Sequence, residues 1–315
     1  MASQAPPSHL APMTDAPPRI FDRALHRARL DRAAPNYAGF LKARAAEDAA
    51  ERLAAVLRDF PLALDLGARD GAFRRALADS DAGHRIGAVI EADLSSRMLA
   101  ANPARGGLRV VADEERLPFA PESLDLVVSL LSLHWTNDLV GALVQIRWAL
   151  KPDGLFVGAL FGGATLTELR QSLIAAEAEV TGGAGLRVSP FADGLDAAGL
   201  LQRAGFAMPV ADVERLTVRY AHPLKLMADL RAMGETNALT DRARQPLTRP
   251  VLTRAFEIYQ AQFGLPDGRI PATFEIVAVT GWAPHASQPQ PLKPGSAKMR
   301  LADALGVVEH RLRDE

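Results

Sequence analysis

The chain has 315 residues, with 36 Lys and Arg against 37 Asp and Glu and a formal net charge of −1. That balance argues against a general nucleic-acid binder, which carries a basic excess. The complete lack of cysteine excludes disulfides, thiolate metal sites and cysteine nucleophiles. No apolar run reaches the length of a membrane span. The opening segment has no charged region followed by an apolar stretch and is poor in arginine before Arg19. A cytoplasmic protein with no membrane insertion and no nucleic-acid partner is the expectation.

Residues 1–18, rich in Pro, Ala and Ser, read as disordered. A helical lid segment is expected over 19–59, where "AEDAAERLAAVL" sets Leu53, Val56 and Leu57 on one face. From 60 to 282 short apolar runs alternate with helical patterns. The runs are 61–66, 85–90, 108–111, 124–131 and 155–161. Helices are expected from about Gly71, from Ser95 to Ala101 and over 138–150, the last ending at "KPDG". "GGATLTELRQSL" has the spacing of a capping box, Thr165 with Glu168. The Pro- and Gln-rich stretch within 283–315 reads as a disordered or weakly ordered tail. Strands alternating with helices specify an α/β, doubly wound, Rossmann-like sheet. Near-continuous apolar strands are buried on both faces. Such sheets bind ligands outside the carboxyl ends of their strands.

After the first strand, "DLGARDG" offers a tight turn into a helix, with Gly67, Ala68 and Gly71 keeping the backbone slim and Asp65 facing a ligand ammonium group. After the second, Asp93 and then Leu94 lie where an acid grips ribose hydroxyls. Glu91 is its competitor, and a plain helix cap is the alternative role for Asp93. After the third, "ADEERLPF" places Asp113 and Glu114 to meet an adenine ring. After the fourth, Leu131, His134 and Trp135 stand where the reacting end of such a ligand would be, with His134 as the candidate acid or base.

As a set, these strand ends resemble the class I S-adenosylmethionine-dependent methyltransferases over residues 60–162. "IFDRALHRARLDRAA", "LSLHWTNDL", "LRAMGETNA" and "PATFEIVAVTGW" extend a narrower resemblance, from Ile20 to Trp282, to the mitochondrial complex I assembly factors described as arginine hydroxylases. A related branch methylates a malonyl thioester in biotin synthesis. The resemblance implies a seven-stranded sheet of order 3-2-1-4-5-7-6 with strand 7 antiparallel, and a helical lid inserted at about 221–265. It implies S-adenosyl-L-methionine as cofactor, no metal, and a protein substrate in respiratory complex I assembly. Lid residues Ser189, Phe191, Glu235 and Asn237, with Trp135, then border the substrate. A small-molecule carboxyl methyltransferase and a non-catalytic assembly factor are the alternatives.

One residue departs from the family pattern: Arg69 stands where its loop has a glycine. A non-glycine residue with positive φ costs about 1–2 kcal/mol. The side chain can point to solvent or pair with the cofactor's carboxylate. Methyl transfer needs in-line positioning and at most a base. Hydroxylation by non-haem iron asks for two His and a carboxylate, and the seven histidines include no His-x-Asp/Glu pair.

Overall fold

The computed structural model describes residues 19–103, 107–189, 191, 196–289 and 306. The disorder expected over 1–18 lies outside the described residues, as does most of the expected tail. Residues 1–284 form one compact unit and 285–315 another. The described strands and helices all belong to the first. In chain order they are α1 (Arg23–Ala33), α2 (Phe40–Ala54), β1 (Phe60–Leu66), α3 (Ala72–Ala78), β2 (Ile86–Asp93), α4 (Ser96–Ala101), β3 (Leu108–Val111), β4 (Leu124–Leu130), α5 (Leu139–Ala149), β5 (Leu150–Phe161), α6 (Thr167–Thr181), α7 (Ala197–Arg203), β6 (Ala207–Tyr220), α8 (Pro223–Ala232), α9 (Arg249–Phe263) and β7 (Ile270–Trp282).

The strands make one sheet of order β3-β2-β1-β4-β5-β7-β6. β1 to β5 run parallel, and β7 pairs antiparallel with both β5 and β6. Side chains alternate across the sheet. Leu155, Val157, Ala159 and Phe161 of β5 enter the core shared with α2, α6 and α9, whereas Phe156 and Leu160 enter the core shared with α5 and α7. On β1, Leu64 and Leu66 face α5. Asp65, one residue out of phase, therefore points to the α2 side. The order reverses between β1 and β4, which opens the crevice at their carboxyl ends.

Three local expectations fail. α2 ends at Ala54, so Leu57 leaves the helical face and is 87 % exposed. "KPDG" is not the end of α5: Leu150 pairs with Leu124 and Leu155 with Leu126, so residues 151–154 bulge within β5, with Asp153 at φ 62°. The capping box does not form. The cap of α6 is Leu166, while Thr165 hydrogen-bonds the backbone of Glu275, and Glu168 accepts from Thr273. Packing onto β7 outcompetes the local cap.

α8 and α9 lie between β6 and β7 in the chain. Backbone bonds from Asp22 N–H to the Ala238 carbonyl (2.8 Å) and from Thr240 N–H to the Ile20 carbonyl (2.9 Å) tie the start of α1 to the α8–α9 connection. The start of α1 and the α8–α9 connection are thereby held together.

Candidate functional site

The loop after β1 is pinned to β2. The N–H groups of Gly67 and Ala68 both donate to the Ala92 carbonyl, at 2.8 and 2.9 Å. Gly67 and Gly71 have φ of 78° and 75°. A β-carbon on Gly71 would lie 2.5 Å from Asn102 Nδ2. Asp65 is fully buried, and neither carboxylate oxygen has a hydrogen-bond partner. Burial pushes it up to about 7, against the opposing charge of Lys42. Sequence reasoning missed Lys42. It lies on α2, is 1 % exposed, and donates at 2.7 Å to both the Gly67 and Leu130 carbonyls. It thereby ties the glycine loop to the end of β4. Burial pushes its ammonium down, and the Asp65 carboxylate opposes that shift.

Arg69 does not reach solvent. Its φ is 53° and it is 1 % exposed. Its Nη1 donates to Asp93 Oδ2 at 2.8 Å, its backbone N–H donates to the same oxygen at 3.0 Å, and Nη2 lies 3.4 Å from Ser132 Oγ. Asp93 Oδ1 accepts from Ser95 N–H at 2.8 Å. The cap of α4 is Ser95, whose hydroxyl accepts from Met98 N–H at 3.1 Å. The cap role considered for Asp93 is thus taken by its neighbour. Glu91 is occupied elsewhere, accepting from Asn102 Nδ2 (2.8 Å) and Arg109 Nε (3.1 Å).

At the end of β3, Arg23 of α1 donates to Asp113 Oδ1 at 2.6 Å and also to Glu114 Oε2. Ser132 Oγ donates to Glu114 Oε1. Burial pushes the Glu114 carboxyl up, but Arg23, Arg69 and the Ser132 hydroxyl outweigh it and hold the group below its ordinary range. Arg23 is therefore part of the site and not of a solvated helix face. Leu94 and Leu131 are buried beside the cradle, Leu131 at φ 48°.

Beyond β4, the indole N–H of Trp135 donates to Glu235 Oε2 at 2.8 Å, and His134 Nε2 lies 3.2 Å from the same oxygen. The imidazole of His134 sits among Phe161, Phe191 and Trp135. Trp135, Phe191 and Glu235 of this group border a cavity of about 230 Å³. Leu169 and Leu173 of α6 and Met227 and Leu230 of α8 supply its apolar wall, Ser189 and Asn237 also line it, and Arg187 and Arg231 add two cations. Ser189 Oγ is buried there without a partner. Asn237 is turned to backbone, donating to the Leu186 carbonyl at 2.7 Å. The chain thus gathers its candidates into two adjoining groups. Asp65, Gly67, Ala68, Arg69, Gly71, Asp93, Leu94, Asp113, Glu114 and Leu131 make the cradle. Trp135, Ser189, Phe191, Glu235 and Asn237 line the cavity, and His134 stands beside it against Glu235.

One group fits the amino-acid end of S-adenosylmethionine: the buried carboxylate of Asp65, without a hydrogen-bond partner, suits an ammonium group. The ribose acid, Asp93, is already bonded by its own chain. Among the described residues no group of three or more His, Asp or Glu side chains is disposed to hold a metal. No described helix is long and apolar enough to cross a membrane.

His26 of α1 was not anticipated either. Its ring stacks on Trp135 at 4.5 Å, and Nδ1 is buried without a partner. Burial, reinforced by the charges of Arg69 and Arg23, holds the imidazole well below its ordinary value. A depressed folded-state value gives stability that is present above about pH 6.5 and lost as pH falls, by up to about 1.4 kcal/mol per unit. Urea midpoints are therefore expected to drop more between pH 7.5 and 5.5 in the wild type than in His26→Phe, which keeps the ring stack. Equal drops would remove His26 as the cause.

The methyltransferase domain family matches residues 64–158. Arginine-hydroxylase NDUFAF5, mitochondrial, of Danio rerio is 41 % identical to this chain, over 90 % of this chain and 89 % of that protein. Malonyl-[acyl-carrier protein] O-methyltransferase of Methylovorus sp. is 34 % identical, over 93 % and 96 % respectively. Among solved structures, the YcgJ protein of Bacillus subtilis superposes with a TM-score of 0.53 at 14 % identity, covering 77 % of this chain and 99 % of that one. That likeness concerns the fold.

Proposed function

We infer the activity from one premise: the chain belongs to the class I S-adenosylmethionine-dependent methyltransferase family that holds the NDUFAF5 arginine hydroxylases and the malonyl-[acyl-carrier protein] O-methyltransferases. It binds S-adenosylmethionine at the ends of β1 to β3 and modifies an arginine of a protein that enters respiratory complex I. The relatives named as arginine hydroxylases support the substrate class. The observation that carries the reading is Glu235. Among the described residues, its carboxylate is the one acidic group in the lining of a cavity whose wall includes Leu169, Leu173, Met227 and Leu230, and it is oriented by both Trp135 and His134. An aliphatic stem ending in a guanidinium matches that wall and that charge.

When bound, the cofactor supplies an electrophilic methyl group on a sulfonium. Asp65 would hold its ammonium end, with Asp113 and Glu114 at its adenine end. Glu235 binds the substrate guanidinium and turns one nitrogen toward the cradle. The cover of α1, α8 and α9 excludes water. Glu235, held in place by His134 and Trp135, takes the proton that the substituted nitrogen releases. The chain acts in the cytoplasm, on a subunit before that subunit joins its membrane complex. Arg231 lines the same cavity and would meet the carboxylate of an acyl substrate, the competing reading.

Intact-peptide mass spectrometry of complex I subunits from a deletion strain decides the matter. Loss of a +14 adduct on one arginine is the expected result. Loss of +16 instead would make the chain a hydroxylase, and an unchanged spectrum would defeat arginine modification altogether. In purified enzyme, Glu235→Gln is expected to lower turnover on that peptide by about 100-fold, with affinity for S-adenosylhomocysteine unchanged within about twofold.

A further inference from the structure

Asp93 presents its carboxylate at the end of β2, where an acid in this topology meets a ribose diol. All its hydrogen-bond partners come from its own chain: the Arg69 guanidinium and N–H on Oδ2, and the Ser95 N–H on Oδ1. The guanidinium that fills this seat is fully buried and also reaches toward Ser132, which in turn donates to Glu114. Arg69 thus places two N–H donors on one oxygen of the carboxylate that would otherwise accept from the O–H groups of a ribose diol. The residue that supplies them holds a backbone φ of 53°, which side chains rarely adopt.

We propose that Arg69 is an internal occupant of the ribose seat, and that cofactor binding exchanges the Arg69–Asp93 ion pair for hydrogen bonds from the ribose hydroxyls. This rests on the S-adenosylmethionine reading above. No covalent bond changes; the guanidinium leaves Asp93 Oδ2 and the diol takes its place. Arg69 therefore sets the affinity of the site. Because a buried ion pair must be separated for each molecule bound, the wild type binds more weakly than the same cradle with a small residue at this position. The charge released from Asp93 lies next to the glycine loop, within the cradle that takes the cofactor's amino-acid end. Arg69 is thus a determinant of cofactor binding, not a catalytic residue.

The test is calorimetric titration of S-adenosylhomocysteine into the wild type, Arg69→Gly and Arg69→Ala, with a crystal structure of the wild-type complex. At least tenfold tighter binding by both variants is expected, with Arg69 Nη1 more than about 4 Å from Asp93 in the wild-type complex. Equal or weaker binding by the folded variants would overturn the proposal and leave the cofactor reading intact. So would a wild-type complex in which the Arg69–Asp93 pair persists. That structure decides the question even where the variants fail to fold. If neither the wild type nor a folded variant binds at millimolar ligand, the cofactor reading itself fails.

Discussion

Replacing Lys42 by methionine is expected to destabilise the protein by about 2–6 kcal/mol, because two buried carbonyls lose their donor at about 1–3 kcal/mol each. The stem of methionine is of similar length, so packing within α2 is retained and the charge alone is lost. Lys42 supports three things at once: the Gly67 carbonyl, the Leu130 carbonyl and the otherwise unpartnered Asp65 carboxylate. Without it, burial drives Asp65 further above its ordinary range. A carboxyl with a raised folded-state value gives stability that is present below its unfolded value near 4 and lost as pH rises. The variant is therefore expected to recover stability as pH falls from 7 to 5. Urea unfolding of Lys42→Met, Asp65→Asn and the double variant provides the check. The double variant is expected to be more stable than Lys42→Met alone, because no uncompensated carboxylate remains. Destabilisation of Lys42→Met by less than about 1 kcal/mol would show that the loop does not depend on this ammonium group.

Lys42 also marks the boundary of what the sequence discloses. It sits on the apolar face of α2, in phase with Ala45, Ala46, Ala49 and Leu53, all buried. A lone lysine on such a face is a legible signal, but its partners are the ends of β1 and β4, and no local pattern supplies those. The parallel strands were accessible as apolar runs, and their order in the sheet came from the family resemblance. The family resemblance added the antiparallel β7. β6, by contrast, alternates exposed and half-buried residues at the sheet edge and offers no continuous apolar run. The acids Asp93, Asp113 and Glu114 were found from their position after strands. What was hidden is that two arginines of the same chain already hold them, one from α1 and one from the glycine loop. Contacts between segments so far apart in sequence depend on how the cover settles on the sheet. His26 was hidden for the same reason, since its partner Trp135 follows β4.

The second large effect is expected at Gly67. A β-carbon there would lie 2.4 Å from Ser132 Oγ and 2.5 Å from Ser132 Cβ. Because one of those atoms is itself a β-carbon, turning the Ser132 hydroxyl away does not relieve the clash. Gly67→Ala combines about 1–2 kcal/mol for a side chain at φ 78° with about 1–3 kcal/mol of overpacking. Displacing Ser132 also disturbs its bond to Glu114, which anchors Arg23 and hence α1. Loss of S-adenosylhomocysteine binding is expected together with the loss of stability. Adding Ser132→Gly to Gly67→Ala separates the two contributions. Urea midpoints are expected to recover the overpacking share while the conformational share persists, and no recovery would place the whole effect in the backbone. Arg69, two residues away, occupies the same left-handed region with a full side chain. Its own side chain is held by Asp93, so the strain there is offset by an ion pair, whereas an alanine at 67 meets only Ser132 and gains nothing. The loop therefore tolerates a large residue at one left-handed position and not a methyl group at the other.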